Sequence, residues 1–123
     1  MNRAQYCVGI DLGTSNTAVA YVPLAGAAEG GERPAIRIFP IPQLIAAGEV
    51  AARPLLPSFR YHLGESELSE ADQQLGLPEA LPELSLPRGI VGSLAQALGT
   101  RVPGRLVSSA KSWLCHGGVE RRA

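Results

Sequence analysis

The sequence has few cysteines, no excess of charge and no long apolar run. Its two cysteines, Cys7 and Cys115, form neither a CxxC motif nor a metal-binding pattern. The chain carries 11 basic and 11 acidic residues, so its charge gives no reason to expect a nucleic acid or an anionic membrane as a partner. No stretch approaches the roughly 18–20 apolar residues of a membrane span, and the first residues do not resemble a signal peptide. We therefore expect a cytoplasmic protein with free thiols.

Two common nucleotide-binding patterns are also absent. No glycine-rich stretch ends in Gly-Lys-Ser or Gly-Lys-Thr, and no G-x-G-x-x-G occurs, which excludes a Walker-type loop and the dinucleotide fingerprint. Hydrophobic residues make up 46% and charged residues 18% of the 123-residue chain, as in a folded globular domain or a part of one. The 10 prolines and 14 glycines are concentrated between residues 23 and 104 and predict short strands joined by long loops there.

The apolar pattern predicts both strands and helices. Residues 6–12 and 17–23 are apolar runs on either side of small polar residues, which indicates an antiparallel hairpin. Because residues 6–12 are almost continuously apolar, we expect this strand to be buried on both faces. The remaining predictions are strands at 35–39, 58–63 and 90–92, a helix at 93–98 that ends at Gly99, and a helix at 106–115.

Residues 64–89 are acidic and rich in proline. They predict a loop insertion with one helical turn near residues 67–74. A long loop of this kind in a compact domain is usually functional or mobile. The segment carries no recognisable chemistry, so we interpret it as a mobile surface loop.

Residues 9–17, Gly-Ile-Asp-Leu-Gly-Thr-Ser-Asn-Thr, carry the most informative pattern. A carboxylate at the end of a strand suits Mg²⁺, which prefers hard oxygen ligands and keeps several waters. A glycine two residues later lets the backbone turn sharply, and successive backbone N–H groups can then converge on phosphate oxygens. The same residue types also make an ordinary hairpin turn, and the residues alone leave both interpretations open. The candidate residues are Asp11 for the metal ion and Gly13, Thr14, Ser15 and Asn16 for the phosphates.

Residues 9–20 resemble the first phosphate motif of the actin-like ATPase superfamily, and within it the heat-shock protein 70 (DnaK-type) chaperones. Three further stretches resemble later parts of that family in the same order: Pro57-Ser58, the run Ile-Val-Gly-Ser-Leu-Ala at 90–95, and Ser-Ala-Lys-Ser-Trp-Leu at 109–114. Only residues 7–22 match with high specificity. The 64–89 segment departs from the family pattern and resembles a lineage-specific insertion, as in a divergent member.

The resemblance implies a fold and a role for each matched residue. The fold would be of the α/β class, the first part of a ribonuclease-H-like lobe of the actin-like ATPases, with a mixed sheet that begins with the hairpin. ATP and Mg²⁺ would be the cofactors. Asp11 would organise the metal ion, and residues 13–16 would hold the β- and γ-phosphates, with Thr14 nearest the γ-phosphate. Lys111 would reach the γ-phosphate and the attacking water, so Asp11 and Lys111 are the catalytic candidates.

The implied function is an ATP-binding, ATP-hydrolysing chaperone that binds ATP or ADP, unfolded client proteins and co-chaperones. The family's nucleotide-binding domain is longer, so we expect residues 1–123 to be its N-terminal fragment, inactive by itself. A bacterial rod-shape actin-like filament protein, a sugar kinase of the same superfamily and a degraded fragment without activity are the alternatives. The 109–114 stretch favours the chaperone over the filament, and the third strand and Pro57-Ser58 fit the kinase poorly.

Overall fold

Short antiparallel strands dominate the computed structural model, which describes residues 3–24, 34–73, 89–115 and 117. These residues form nine strands: β1 (Tyr6–Leu12), β2 (Asn16–Pro23), β3 (Arg37–Ile38), β4 (Ile41–Ala46), β5 (Glu49–Arg53), β6 (Leu56–Pro57), β7 (Phe59–His62), β8 (Gly89–Val91) and β9 (Leu106–Ser108). They also form two α-helices, α1 (Ser93–Arg101) and α2 (Ala110–Trp113), and two 3₁₀ turns at Ala71–Gln73 and Pro103–Arg105. No helix in this described part is long and apolar enough to cross a membrane.

The first sheet is built on the predicted hairpin. β1 and β2 pair in unbroken antiparallel register, from Tyr6 opposite Pro23 to Leu12 opposite Thr17. The other edge of β2 pairs with β3 near Tyr21 and with β6 near Asn16. The predicted strands at 6–12 and 17–23 are therefore confirmed.

Two smaller sheets complete the strand pairing. β4 pairs with β5, and β7 lies between β8 and β9. Every pairing among the described residues is antiparallel. The combination of α and β elements and the opening hairpin agree with the predicted class, whereas the parallel pair that a mixed sheet requires is absent from these residues.

The buried core lies between α1 and the strands β4, β7 and β8. An α-helix needs an apolar stripe to bury, and α1 supplies it with Leu94 and Ala95. Leu44, Tyr61 and Ile90 meet them from the three strands, and half-buried side chains such as Phe59, Leu98 and Leu106 close around this cluster. The hairpin of β1 and β2 contributes no residue to the buried cluster.

Strand β1 contradicts one prediction, because each of its seven residues is exposed. Tyr6, Val8, Ile10 and Leu12 keep 55%, 57%, 63% and 65% of their surface accessible. The expectation of a strand buried on both faces is wrong in this structure. The reason lies in the packing, since α1 covers β4, β7 and β8 and leaves the faces of β1 open.

Helix α1 begins where predicted and runs further. It includes Gly99, which was expected to end it, and continues to Arg101. Gly99 is buried, and a Cβ atom at this position would lie 2.5 Å from both Cδ atoms of Leu106. The glycine therefore allows β9 to approach the helix closely. Its role is in packing, and the prediction that it ends the helix is wrong.

The last predicted helix is wrong over its first half. Residues 106–108 form β9, which pairs with β7 through Leu106 opposite Tyr61. Ser109 then adopts a left-handed backbone conformation with φ 53°, and α2 follows for four residues. An apolar spacing typical of a helix was overridden because Leu106 packs against the core cluster as part of a strand.

Residues 64–73 are part of the predicted insertion. They include the 3₁₀ turn at Ala71–Gln73, inside the range where one helical turn was expected. The backbone N–H of Gly48 donates to the carbonyl oxygen of Asp72 at 3.0 Å, which ties this turn to the hairpin of β4 and β5. Residues 74–88, the greater part of the predicted insertion, lie outside the described residues.

Candidate functional site

The turn of residues 13–16 joins β1 to β2 at one end of the first sheet. A Cβ atom on Gly13 would overlap the carbonyl oxygen of Asn16, so this tight turn requires glycine at position 13. Thr14, Ser15 and Asn16 are exposed, and Gly13 is half-buried. Residues 14–16 of the turn are therefore open to solvent.

Ser58 holds this turn from the side of β6. Its hydroxyl donates to the carbonyl oxygen of Gly13 at 2.8 Å, and its backbone N–H donates to the carbonyl oxygen of Ser15 at 2.9 Å. Pro57 lies opposite Asn16 in the pairing of β6 with β2. The structure thus brings Pro57 and Ser58 against residues 13–16, although Ser58 lies 45 residues after Gly13 in sequence.

The backbone N–H groups of the turn have a different environment from its carbonyl groups. Outside the strand ladders, no hydrogen bond among the described residues has the N–H of Gly13, Thr14 or Ser15 as its donor. Successive backbone N–H groups in a turn can bind an anion where no protein group accepts from them. The N–H groups of this turn are therefore candidate anion donors.

Lys111 reaches the same end of the sheet from α2. Its ammonium donates to the carbonyl oxygen of Leu12 at 2.8 Å, immediately before Gly13 in the chain. Lys111 is the only lysine in the sequence. A lysine ammonium has three N–H donors, so two remain beside the turn after the bond to Leu12 is made. The left-handed Ser109 starts the short helix that places this side chain.

Asp11 lies on the last part of β1, opposite Ala18 of β2. Its side chain is exposed, and neither a hydrogen bond nor an ion pair joins it to any residue of the described ranges. Lys111 contacts the neighbouring Leu12 carbonyl group and forms no ion pair with Asp11. Asp11 is thus adjacent in sequence to the group that Lys111 contacts, and its carboxylate is accessible.

The residues around Asp11 set limits on a metal ion. Within the described ranges, no group of three or more His, Cys, Asp or Glu side chains is arranged to hold a metal. One carboxylate fits Mg²⁺ only where water and phosphate oxygens supply the other ligands, as this ion commonly requires. A resident all-protein metal site does not fit these residues.

No known protein family matches the chain. Comparisons with curated proteins and with solved structures also find no match.

Gln43 is a structural residue that the sequence did not reveal. It is 1% exposed, and its side-chain oxygen accepts hydrogen bonds from the backbone N–H and the hydroxyl of Ser93, at 3.0 Å and 2.7 Å. Its side-chain nitrogen donates to the carbonyl oxygen of Leu55 at 2.9 Å. Gln43 thus satisfies the first N–H of α1, because Gly92 at the helix start has no side chain to cap it.

A second polar cluster surrounds Glu67, also not identified from the sequence. Its carboxylate accepts bonds from the hydroxyl of Tyr61 at 2.8 Å, the N–H of Gly64 at 2.9 Å and the guanidinium of Arg105 at 3.0 Å. The N–H of Gly64, and after it the hydroxyl of Tyr61, holds the pKa of Glu67 below its ordinary value. Burial, and after it the bond to Glu67, raises the pKa of Tyr61. This cluster stabilises the fold around β7 and belongs to a different region from residues 13–16.

Proposed function

We propose that residues 13–16 bind the phosphate groups of Mg·ATP, as the first phosphate turn of an actin-like ATPase of the heat-shock protein 70 type. One observation supports this most strongly. Ser58 and Lys111, from two of the separate stretches that resemble the family, both form hydrogen bonds at the turn or at the residue before it.

The proposed roles follow from the groups available at the site. The N–H groups of Gly13, Thr14 and Ser15 bind phosphate oxygens, and Asn16 closes the turn. Asp11 orients a hydrated Mg²⁺ that is bound to the phosphates. The remaining ammonium donors of Lys111 stabilise negative charge on the terminal phosphate group.

The chaperone assignment is part of the same proposal. Residues 109–114 are the stretch that favours a chaperone over a filament protein, and Lys111 belongs to it. The protein would couple ATP hydrolysis to the binding of unfolded client proteins with the help of co-chaperones, in the cytoplasm. The ribonuclease-H-like lobe is the fold that this proposal requires.

We further propose that the chain by itself binds Mg·ATP weakly and does not hydrolyse it. The turn is an exposed surface, and the matched stretches include neither an adenosine motif nor a second phosphate turn. We expect a dissociation constant of about 1 mM or weaker, which corresponds to a binding free energy of only about 4 kcal/mol. Isothermal titration and an assay of phosphate release would check this, since micromolar affinity or measurable turnover by the chain would contradict it.

Weak binding is best tested by nuclear magnetic resonance of the backbone amides. Titration with Mg·ATP and with magnesium tripolyphosphate to ~10 mM should shift the amide signals of Gly13, Thr14 and Ser15 with both ligands. Asp11→Asn should weaken the response to the magnesium complexes. Glu49→Gln, which alters an exposed carboxylate on β5, is the matched control and should leave the titration unchanged. Absence of shifts at the turn, or equal shifts over the whole surface, would overturn the proposal.

A further inference from the structure

Strand β1 has an outward edge that no described strand covers. The backbone N–H of Leu24 donates to the carbonyl oxygen of Gln5 at 2.8 Å, so this pair is a hydrogen-bonded pair of the hairpin. Because such pairs alternate along an antiparallel ladder, Cys7, Gly9 and Asp11 also direct their backbone groups to β2. The backbone groups of the alternate residues, at positions 6, 8, 10 and 12, point outward.

This edge lacks the features that usually prevent strands from pairing between molecules. β1 contains no lysine and no proline, and its register with β2 has no bulge. Such residues and irregularities are the common protection of edge strands. Lys111 covers one outward group, the carbonyl oxygen of Leu12. No other described residue bonds to the outward groups of Tyr6, Val8 or Ile10.

The same strand carries an exposed apolar face. The side chains of Tyr6, Val8, Ile10 and Leu12 lie on one face and are 55–65% exposed. On the neighbouring strand Tyr21 lies on this face, and its ring contacts that of Tyr6 edge-to-face, with centroids 5.8 Å apart. A contiguous apolar face beside an open edge is typical of an interaction surface.

We propose that β1 pairs antiparallel with β1 of a second copy of this chain, about a two-fold axis at Gly9. In this register Val8 lies opposite Ile10 of the second copy, and Tyr6 lies opposite its Leu12. These positions are the ones whose backbone groups point outward, so the hydrogen bonds of the new ladder are available. The bonds between Val8 and Ile10 involve no group that Lys111 contacts.

The strand is its own complement, which identifies the second copy as the partner. Its seven residues have Gly9 at their centre, so the two-fold axis places apolar side chains opposite apolar side chains on one continuous face. Asp11, the only charged residue of β1, lies opposite Cys7 of the second copy, and no like charges meet. Pairing through one strand buries less than the about 800 Å² per partner of a stable interface, so the dimer dissociates on dilution.

Sedimentation velocity over a concentration series tests the association. The wild-type chain should shift from monomer toward dimer as its concentration increases. Val8→Lys places a charge at the paired edge and should keep the chain monomeric. Val50→Lys is the matched control, because Val50 is an exposed valine, at 41%, on β5, and it should dimerise like the wild type. A wild-type chain that stays monomeric, or a dimer that persists in Val8→Lys, overturns the proposal.

Disulfide crosslinking tests the register. In a Cys7→Ser, Cys115→Ser background, Gly9→Cys would place two thiols on opposing residues of a non-hydrogen-bonded pair, within disulfide reach. Oxidised glutathione, which accepts the two electrons and two protons, should convert this variant to a covalent dimer of twice the monomer mass. Gly104→Cys is the control, since a Cβ atom meets nothing within 4 Å at either glycine. Pairing about Gly9 is contradicted if both variants crosslink equally. It is also contradicted if Gly9→Cys dimerises but forms no disulfide between the two copies.

Discussion

The ammonium of Lys111 donates a hydrogen bond to the carbonyl oxygen of Leu12, 99 residues earlier in the chain. Leu12 ends β1 and precedes Gly13, so this bond attaches α2 to the start of the candidate phosphate turn. It also covers one outward carbonyl group of an otherwise open strand edge. The same contact therefore places a cation beside the turn and limits how far a second strand can pair along β1.

Replacing Lys111 by Met should disturb the turn and barely change stability. The bond is exposed, so its loss should lower the free energy of unfolding by at most about 1 kcal/mol. The amide signals of Gly13 and Thr14 should shift, and the response of the turn to magnesium tripolyphosphate should weaken. Arg53→Met, which removes an exposed cation of β5, should leave both the amide signals of the turn and its response to magnesium tripolyphosphate unchanged. Because the chain has one lysine, selective lysine labelling gives a single signal that reports on the ammonium of Lys111. Unchanged amide signals of Gly13 and Thr14 in Lys111→Met would contradict the contact with Leu12.

Stability should fall in acid because of Glu67. The N–H of Gly64 and the hydroxyl of Tyr61 lower its folded-state pKa from the ordinary 4.5, so the unfolded chain binds a proton more readily. The stability that Glu67 contributes is full above pH 4.5 and is lost as the pH falls through the lowered pKa. Urea unfolding at a series of pH values should show this slope in the wild type and a smaller slope in Glu67→Gln. Glu49→Gln should retain the wild-type slope.

Stability should also fall in strong alkali because of Tyr61. Burial raises its folded-state pKa above the ordinary 10.0, with a further contribution from the neighbouring Glu67. The stability from the neutral hydroxyl is present below pH 10.0 and is lost as the pH rises through the raised pKa. Absorbance of the ionised phenol should show Tyr61 ionising only as the chain unfolds, and Tyr61→Phe should lose this part of the signal. Ionisation of Tyr61 in a chain that is still folded would contradict the buried position of this side chain.

Replacing Gly99 by Ala should destabilise the chain although alanine favours helices. The methyl group would lie 2.5 Å from both Cδ atoms of Leu106, which packs against the core cluster. We expect a loss of ~1–3 kcal/mol in the free energy of unfolding, as for an overpacked core. Gly104→Ala has open space around the added Cβ and serves as the control in chemical denaturation. A Gly99→Ala variant as stable as the wild type would refute the close approach of β9 to α1.

Replacing Gln43 by Ala should also be strongly destabilising. The change removes the partner of the N–H and hydroxyl of Ser93 and of the carbonyl group of Leu55. Buried polar groups left without partners cost about 1–3 kcal/mol each, partly recovered where water enters, so we expect ~2–4 kcal/mol in total. Gln96→Ala, at an exposed position of α1, should change the thermal midpoint little. Equal midpoints for the two variants would show that Gln43 does not cap the helix.

Local features of the sequence predicted the hairpin and its turn well. Two apolar runs on either side of small polar residues favour a hairpin, because both the runs and the turn residues are typical of one. The start of α1 at Ser93 was predicted from the same kind of local information. The strand predicted at 58–63 is observed at Phe59–His62.

Features that depend on distant partners were predicted poorly. The spacing of residues 106–115 is typical of a helix, but Leu106 lies opposite Tyr61 in a strand. Gly99 looked like a helix stop, but it is a contact site for the same Leu106. Gln43 and Glu67 carry no local pattern at all, and their partners are up to 50 residues away along the chain.

The sequence by itself indicated a turn at residues 13–16, with Asp11 before it, because glycine and short polar residues between two apolar runs favour a turn. Only the tertiary structure decided that Ser58 and Lys111 lie at that turn, and that α1 covers β4, β7 and β8 and leaves β1 open. These contacts depend on which apolar surfaces pack together between distant parts of the chain. The packing minimises the apolar surface left in water for all side chains together, so it cannot be predicted from any single segment.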